Sequence, residues 1–168
     1  YLEKTIFLGH LLLIFVFFLL ININTSLRAN ETEFKAVFKV DSVSVNIIKG
    51  TNVELDTLPL PIFIVNNRSI LAAKFLSKHI GIKINYLYEP TTQNTDIELI
   101  DSNKNLLRLT INSKVAYYNG KMITIDVAPI LKKINGANEG LVPLRFVFET
   151  FGYTVDWNND TREITVYK

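Results

Sequence analysis

The sequence predicts an α+β protein made of two tandem β-β-α-β-β repeats, each a small antiparallel sheet packed on one short helix. The first observation behind this prediction is that "KGTNVELDTLP" (49–59) aligns with "NGKMITIDVAP" (119–129) at an offset of 70 residues. The second is that 69–86 aligns with 140–157 at an offset of 71. Because both blocks keep their order and nearly the same offset, a duplication with one inserted loop residue explains the match. The matched pairs are Gly50/Gly120, Val53/Ile123, Leu55/Ile125, Asp56/Asp126, Pro59/Pro129, Ile70/Leu141, Leu71/Val142, Lys74/Arg145, Phe75/Phe146, Gly81/Gly152 and Tyr86/Trp157.

The chain begins with a segment that is typical of a secretory signal peptide. Lys4 precedes an unbroken apolar run over 11–21, and polar residues follow it. We therefore expect residues 1–29 to be a signal peptide. The alternative is an uncleaved anchor over 6–23, which is close to the minimum length for a bilayer core of about 30 Å. Either interpretation predicts an exported protein, secreted or held at the cell surface, that meets the membrane only through this segment.

Composition limits the classes of partner and of covalent support. The chain has no cysteine, so its stability must come from packing and not from disulfides. Its formal charge is +2, and residues 1–29 account for +1 of it, which leaves about +1 for the remainder. A nearly neutral domain gives no electrostatic reason to expect nucleic acid.

Each repeat opens with a β-hairpin whose turn contains a glycine. Gly50 lies between two alternating segments, and Asn119-Gly120 lies between two β-rich runs. Asn-Gly accepts positive φ at both central positions of a tight hairpin turn. In the second hairpin Ile123 and Ile125 alternate with polar residues, which predicts one apolar face toward the core.

A loop with proline and then a helix follow the hairpin. Pro143 suits the first helical turn, where its missing N–H costs nothing, and Gly152 suits the left-handed residue that ends a helix. The spacing i, i+3, i+4, i+7 predicts one apolar stripe, formed by Leu144, Val147, Phe148 and Phe151. We expect these aromatic residues to pack in the core and not to form a binding platform.

A second hairpin ends each repeat. In the second repeat "YTVDW" and "REITVYK" flank the turn "NNDT". The first repeat has a longer turn, "YEPTTQNT", and an extra strand, "NLLRLTI", that leads into the second. The predicted boundaries are therefore 30–112 for the first repeat and 113–168 for the second.

Residues 117–168 resemble the copper amine oxidase N-terminal domain family, also called the stalk domain. The shared pattern is Asn-Gly, an alternating strand ending in Asp, a Pro, then Val-Pro-Leu-Arg, a helix, a Gly and a strand ending in Trp. Residues 45–100 resemble a degenerate copy, with Ala72 in place of Pro and Lys74 in place of Arg. The resemblance implies a small antiparallel sheet around one helix, a structural or binding role without catalytic residues, and an exported protein of Gram-positive bacteria. Copper and the tyrosine-derived quinone belong to a separate catalytic domain of the amine oxidases.

The residue types needed for catalysis or metal binding are scarce. His10 lies in the apolar segment, and His79 stands alone near the end of the first helix, where it suits the helix dipole. A copper or zinc site needs several His or Cys ligands, and a Ser-His-Asp arrangement needs a histidine beside a nucleophile. Asp126 and Glu149 could form a glycosidase pair, but Asp126 suits a loop and Glu149 suits a helix-surface pair with Arg145. We therefore expect no enzyme activity, no cofactor and no metal site.

A weak candidate binding surface consists of aromatic residues that strand alternation exposes, together with one cation. Such rings stack on sugars or pack against another domain. Its residues are Tyr86, Tyr88, Tyr117, Trp157 and Arg145. The sequence thus predicts a non-catalytic cell-envelope module that acts as a spacer or a protein-interaction domain and contacts a cell-wall component or another surface protein. The alternatives are a carbohydrate- or peptidoglycan-binding module, and the N-terminal part of a larger exported enzyme.

Overall fold

The computed structural model describes residues 34–168, which form one compact unit. The predicted signal segment, 1–29, lies outside the described residues. Within the described part of the chain, neither helix is long and apolar enough to cross a membrane. The elements are β1 Phe34–Lys39, β2 Ser44–Lys49, β3 Asn52–Thr57, β4 Phe63–Val65, β5 Arg68–Ala72, α1 Lys74–Ile80, β6 Lys83–Glu89, β7 Asn94–Ile100, β8 Leu106–Thr110, β9 Val115–Tyr118, β10 Lys121–Thr124, β11 Ile130–Ile134, β12 Ala137–Pro143, α2 Leu144–Thr150, β13 Thr154–Asn158 and β14 Glu163–Tyr167.

The predicted α+β class with two β-β-α-β-β repeats is wrong. The fold is mostly β, with 57% of the described residues in strands and 10% in helices. Three antiparallel sheets share the strands, in the orders β13-β14-β1-β2-β3, β10-β9-β8-β7-β6 and β11-β12-β5-β4. No sheet belongs to one predicted repeat with its own helix, because each sheet combines strands from both predicted repeats.

The exchange of a hairpin explains why the prediction of separate repeats fails. The C-terminal hairpin β13–β14 pairs with β1, through a register that sets Phe38 opposite Ile164. The hairpin β6–β7 pairs with β8 of the same predicted repeat, with Leu99 opposite Leu107, and β8 pairs in turn with β9 of the second predicted repeat. The first sheet has the order β3-β2-β1-β14-β13 and the second has the order β10-β9-β8-β7-β6. Each strand of the second sheet corresponds to the strand of the first that is seven positions away in the series of fourteen strands. The two five-stranded sheets are therefore topologically equivalent, and each interlocks both halves of the chain.

The third sheet joins the halves at the centre of the molecule. Strands β5 and β12 run antiparallel, with Leu71 opposite Val142 and Ala72 opposite Leu141. The carboxylate of Glu139, which is buried, accepts a hydrogen bond from the backbone N–H of Lys74 over 3.0 Å. A residue of the second half thus satisfies one of the unpaired N–H groups that begin the helix of the first half.

The predicted apolar stripe of the second helix is confirmed, since all four of its residues are buried. Phe148 is fully buried and lies near Phe75 and Phe38, with ring centroids 6.4 Å away from each. Phe38 and Phe75 are themselves in edge contact at 4.9 Å. Both helices therefore insert aromatic side chains into one continuous core, together with the first sheet.

The C-terminal end of α2 agrees with the sequence prediction, and its N-terminal end differs from it. Gly152 has a φ of 80°, and its N–H donates to the carbonyl of Glu149 while the N–H of Tyr153 donates to that of Phe148. This pair of hydrogen bonds is a Schellman motif, as a glycine after the helix predicts. Pro143, however, has ψ 110° and is the last residue of β12, one position before the helix.

The two hairpins that the sequence aligns at an offset of 70 differ by one residue in register. The turn of β2–β3 begins at Gly50, and the turn of β9–β10 begins at Asn119, an offset of 69. A slip of one residue moves every side chain of a strand to the other face. Val53 and Leu55 are consequently 73% and 71% exposed, while the buried Ile125 confirms the apolar face predicted for the second hairpin.

Candidate binding site

A groove of about 400 Å³ lies where the third sheet, α2 and the edge of the first sheet meet. Strands β4 and β13, which contribute to it, are edge strands of their sheets. We call this feature the arginine groove. Its lining consists of Ile64, Asn67, Arg68, Ser69, Arg145, Val155, Trp157, Arg162 and Ile164.

Tight turns position two of the three arginines. Asn66 and Asn67 both have positive φ, 48° and 60°, as a two-residue hairpin turn requires, and they place Arg68 at the start of β5. Arg162 has a φ of 55° in the turn between β13 and β14. Arg145 lies in the first turn of α2. Two turns and a helix start thus bring three guanidinium groups to one groove.

Each arginine forms an ion pair with a carboxylate. The Nε of Arg68 donates to Asp126 over 2.8 Å, and the Nη1 of Arg162 donates to Asp41 over 3.0 Å. Both ion pairs are largely exposed, so solvent screens them and they contribute little to stability. They fix the direction of the side chains more than they strengthen the fold.

Arg145 is held more firmly than the other two. Its Nη1 donates to the carboxylate of Glu149 over 3.1 Å and to the backbone carbonyl of Val155. The Glu149 contact confirms the helix-surface pair that the spacing i, i+4 predicts. The Val155 contact ties α2 to β13, which gives this arginine a structural role in addition to its place in the groove.

The lining of the arginine groove contains three arginines and no carboxylate, while the acid paired with each arginine lies beside the groove. Three of its nine lining residues are arginines, and none is acidic. Among the described residues, the hydrogen bonds of Arg145 and Arg162 use Nη1 only, so Nε and Nη2 of both remain for a ligand. A guanidinium fork matches the oxygens of a carboxylate or a phosphate. The arrangement is therefore suited to an anionic group.

The indole of Trp157 supplies an aromatic surface in the same groove. Trp157 lies on β13 and is 43% exposed. It shares one face of the sheet with Val155 and lies opposite Ile164 on β14. These two aliphatic residues are buried and also line the groove. The groove therefore combines a cationic rim with an apolar floor.

An adjoining cavity of about 350 Å³ shares Arg68, Ser69 and Arg145 with the arginine groove. Asp126 and Glu149, the acids considered for glycosidase chemistry, both line this second cavity. Asp126 binds Arg68 and not the backbone amides expected of it, and Glu149 binds Arg145. Both carboxylates are thus ion-pair partners, which differs from the general acid that glycoside hydrolysis requires.

The structure does not bring the predicted aromatic surface together. Tyr86 and Tyr88 lie on one face of the second sheet, because Tyr86 is aligned across strands with Ile97, Leu109 and Ala116. Tyr117 follows Ala116 and therefore lies on the opposite face. Trp157 lies in a different sheet. Of the five predicted residues, only Trp157 and Arg145 line one cavity.

Sequence reasoning missed Arg68 and Arg162 as site residues. They are 94 positions apart (162 minus 68) and share no local motif with Arg145. The only local indication was the Asn66-Asn67 pair before Arg68, which marks a turn and not a site. The groove depends on the exchange of hairpins, so the positions that form it could not be grouped before the fold was known.

The topologically matched position in the other half is closed. Gly140 and Tyr86 align with Ser69 and Trp157 at the offset of 71. The N–H of Gly140 donates to the hydroxyl of Tyr86 over 3.0 Å, and a Cβ on Gly140 would lie 2.6 Å from Cδ1 of Ile97. Burial raises the pKa of the Tyr86 hydroxyl. The hydroxyl end of Tyr86 therefore lies against Gly140, although the side chain is 41% exposed, whereas the matched Ser69 lines the groove.

His79 is buried and lies in a cluster with Asp56, which is partly buried, and Lys78, which is half exposed. It lies in the last turn of α1, as expected, and its Nε2 is 2.6 Å from a carboxylate oxygen of Asp56. Lys78 donates to the other oxygen of Asp56 over 2.6 Å, and this hydrogen bond lowers the pKa of Asp56 to about 2. The imidazole also lies against the ring of Phe75, with centroids 4.6 Å apart. This cluster joins β3 to α1 and does not line the arginine groove.

The residues of 34–168 do not fit a copper site. Within this range no three His, Cys, Asp or Glu side chains lie close enough together to hold a metal ion. His79 is the one histidine of the range, its Nε2 faces Asp56, and the chain has no cysteine. Protein copper sites draw on several imidazole or sulfur ligands. No chemistry is therefore assigned to copper in this chain.

Comparison with known proteins gives one result. Neither the curated proteins nor the solved structures yield a match to the chain. Residues 47–167 match the model of the family described as copper amine oxidase N-terminal domain. This domain is non-catalytic in the amine oxidases, and the chain is not evidently catalytic by itself. The match covers well over half of the 168 residues, and the chain therefore belongs to the copper amine oxidase N-terminal domain family.

Proposed function

We propose that this protein is an exported, non-catalytic module of the cell envelope that binds another envelope component. In this proposal residues 1–29 direct export as a signal peptide, or 6–23 remain as a membrane anchor. The described unit then acts outside the membrane, at the surface of a Gram-positive cell. Family membership is consistent with a non-catalytic N-terminal module of a larger protein, which supports the proposal.

The observation that carries the proposal is the arginine groove. An inert spacer has no need of a cavity that combines three guanidinium groups with a half-exposed indole. Concave sites with a few convergent polar groups are the usual form of a binding site. The same residues include no nucleophile paired with a base, so the groove is suited to binding and not to covalent chemistry.

A carbohydrate- or peptidoglycan-binding role is the candidate that Trp157 favours. Its indole is partly open to solvent beside polar donors, and aromatic rings with nearby polar groups are suited to sugars. A protein-interaction role draws on a different surface, the outer face of edge strand β3. There Val53 and Leu55 are exposed on a strand whose outer hydrogen-bonding edge has no partner among the described strands.

We also propose that the chain arose by duplication, with copies over 30–112 and 113–168. The aligned sequence blocks and the equivalent strand orders of the two five-stranded sheets support this origin. The copies then share sheets, because β14 of the second copy pairs with β1 of the first and β8 of the first pairs with β9 of the second. A third role, as the N-terminal part of a larger exported enzyme, is supported by the family match alone.

Co-sedimentation tests the proposed function. Residues 30–168, which contain the whole compact unit, are mixed with intact cell walls from the source organism, with and without prior removal of wall proteins. We expect the protein to sediment with the walls. Sedimentation that survives protein removal indicates a glycan ligand, and sedimentation lost with the proteins indicates a protein partner. A protein that stays in the supernatant in both cases contradicts a binding role.

A further inference from the structure

We propose that the arginine groove is a binding site for an anionic sugar, a ring that carries a carboxylate or a phosphate. This inference rests on the proposed function, since it names the ligand of the binding module. It assigns the anionic group to the guanidiniums of Arg145 and Arg162, and the ring to Trp157 and the apolar floor beneath it.

The charge of the lining selects an anion. The acids that hold the three arginines, which are Asp41, Asp126 and Glu149, lie outside the groove lining. A ligand in the groove therefore meets no carboxylate of the lining, and its donors are the Nε and Nη2 of Arg145 and Arg162, because all three nitrogens of Arg68 already donate to Asp126 or Asn67. Arginine binds carboxylate and phosphate through parallel hydrogen bonds, so one anionic group can engage the Nε and Nη2 of a single side chain.

The apolar residues of the lining favour a ligand that has a ring over a free inorganic anion. Trp157 offers a partly exposed indole, and the buried Val155 and Ile164 lie beside it. A free phosphate or sulfate would leave this surface unused. A sugar ring has an apolar face for the indole and hydroxyls for the hydroxyl of Ser69 and the amide of Asn67. The volume of about 400 Å³ accommodates a small ligand of this size.

The closed counterpart indicates that the open groove is not a requirement of the fold. At the matched positions Tyr86 fills the space and its hydroxyl binds Gly140. The matched residues for Arg68 and Arg145 are Glu139 and Lys74, and Glu139 there caps the start of α1. The same architecture thus exists in one half as a packed, capped junction and in the other as an open cationic groove.

Calorimetric titration tests the proposal with four defined probes. Trigalacturonate supplies the carboxylate, glucose 6-phosphate supplies the phosphate, maltotriose is the neutral sugar, and tetraglutamate is an acidic chain without a sugar ring. The protein is the chain from residue 30, with its cooperative thermal unfolding checked first. We expect at least one acidic sugar to bind at least tenfold more tightly than both maltotriose and tetraglutamate. The acidic sugar that binds distinguishes a uronate from a phosphosugar as the natural group.

Variants locate the binding in the groove. Trp157→Ala and Arg162→Asn should each lower the affinity for the acidic sugar at least tenfold. Asparagine is chosen at position 162 because it tolerates the positive φ there. The matched controls are Tyr88→Ala, an exposed aromatic residue on β6, and Lys133→Ala, an exposed cation on β11 at the far edge of the third sheet. Both controls should stay within twofold of the parent. If Trp157→Ala fails to fold, the comparison of Arg162→Asn with Lys133→Ala still shows whether the acidic sugar binds in the groove.

Three results overturn the proposal: no acidic sugar binds, maltotriose or tetraglutamate binds as tightly, or the groove variants bind like the controls. The failure can be separated from a failure of the proposed function. If Trp157→Ala and Arg162→Asn still co-sediment with cell walls as the parent does, the protein binds walls through another surface. In that case only the assignment of the ligand to the groove is wrong.

Discussion

The amide of Gly140 donates a hydrogen bond to the hydroxyl of Tyr86 over 3.0 Å, and this contact closes one half of the molecule where the other half is open. The aligned pair in the other half, Ser69 and Trp157, lines the arginine groove. One glycine and one tyrosine thus separate a packed junction from a cavity in the same topological position.

Replacement of Gly140 should destabilise the protein. In Gly140→Ala the new Cβ would lie 2.6 Å from Cδ1 of the buried Ile97 and 3.0 Å from the Tyr86 oxygen. Overpacking of this kind costs about 1–3 kcal/mol of unfolding free energy, measured by urea denaturation. The matched control is Ser69→Ala, which adds no atom and should stay within about 0.5 kcal/mol. Equal effects of the two variants would contradict the closed-junction interpretation.

Truncation of Phe148 tests the assignment of α2 to the core. The ring is fully buried and lies near Phe38, Phe75 and Tyr153. Phe148→Ala should lower the free energy of unfolding by about 3–5 kcal/mol. Tyr88→Ala, which removes an exposed ring, should change it by less than about 0.5 kcal/mol. A loss below about 1 kcal/mol for Phe148→Ala would show that the stripe is not core.

The cluster of Asp56 with Lys78 and His79 should make stability depend on pH in the acid range. The hydrogen bond from Lys78 is the largest cause that lowers the pKa of Asp56, from 3.8 to about 2 in the folded state. A lowered carboxyl pKa stabilises the fold above the unfolded pKa, and this contribution is lost as the pH falls from about 4 to about 2. Lys78 is half exposed, so solvent screening limits the contribution to about 1–2 kcal/mol.

The measurement is the difference in unfolding free energy between the parent and Asp56→Asn at several pH values. We expect the difference to be largest at pH 5–7 and to shrink below about pH 4, because protonation removes the charge that the variant lacks. Comparing the two proteins cancels the other carboxylates, among them Glu98, whose pKa Arg108 also lowers. A difference that stays constant from pH 6 to pH 2 would show that the Asp56 charge does not stabilise the fold.

The interlocked sheets predict that neither predicted repeat folds alone. A chain of 113–168 keeps the hairpin β13–β14 but loses β1, and it keeps β9 but loses β8. Isolated hairpins are marginal in water, and 34–112 loses α2, whose Val147 and Phe148 complete its core, so each fragment should show no cooperative thermal unfolding by circular dichroism. An equimolar mixture should recover cooperative unfolding. Cooperative folding of either fragment by itself would contradict the exchange of hairpins.

The sequence predicted local elements well and their partners poorly. Gly152 after the helix and the stripe that includes Phe148 follow from short-range rules, because chain geometry alone sets helix ends and helix faces. The partner of a strand depends on contacts far along the chain, which a local pattern does not encode. Strand β1, over 34–39, was not predicted, and without it the exchange of hairpins could not be seen.

The candidate site shows the same limit. Trp157 and Arg145 were singled out because an exposed aromatic residue and a motif arginine stand out in a sequence. Arg68 and Arg162 become neighbours of these two only through the exchanged hairpins. The alignment of Val53 with Ile123 failed for a smaller reason, a one-residue difference in the position of the turn.

The most direct test of the central claim uses the only tryptophan of the chain, which lies in the arginine groove. Residues 30–168 are titrated with protein-free, solubilised cell-wall glycan from the source organism while the Trp157 fluorescence is followed. We predict a saturable shift of the emission maximum. Arg162→Asn should lower the affinity derived from this titration at least tenfold, and Lys133→Ala should leave that affinity unchanged. An emission spectrum that stays constant, while the protein still co-sediments with insoluble, protein-free cell walls, would show that the groove is not the binding site.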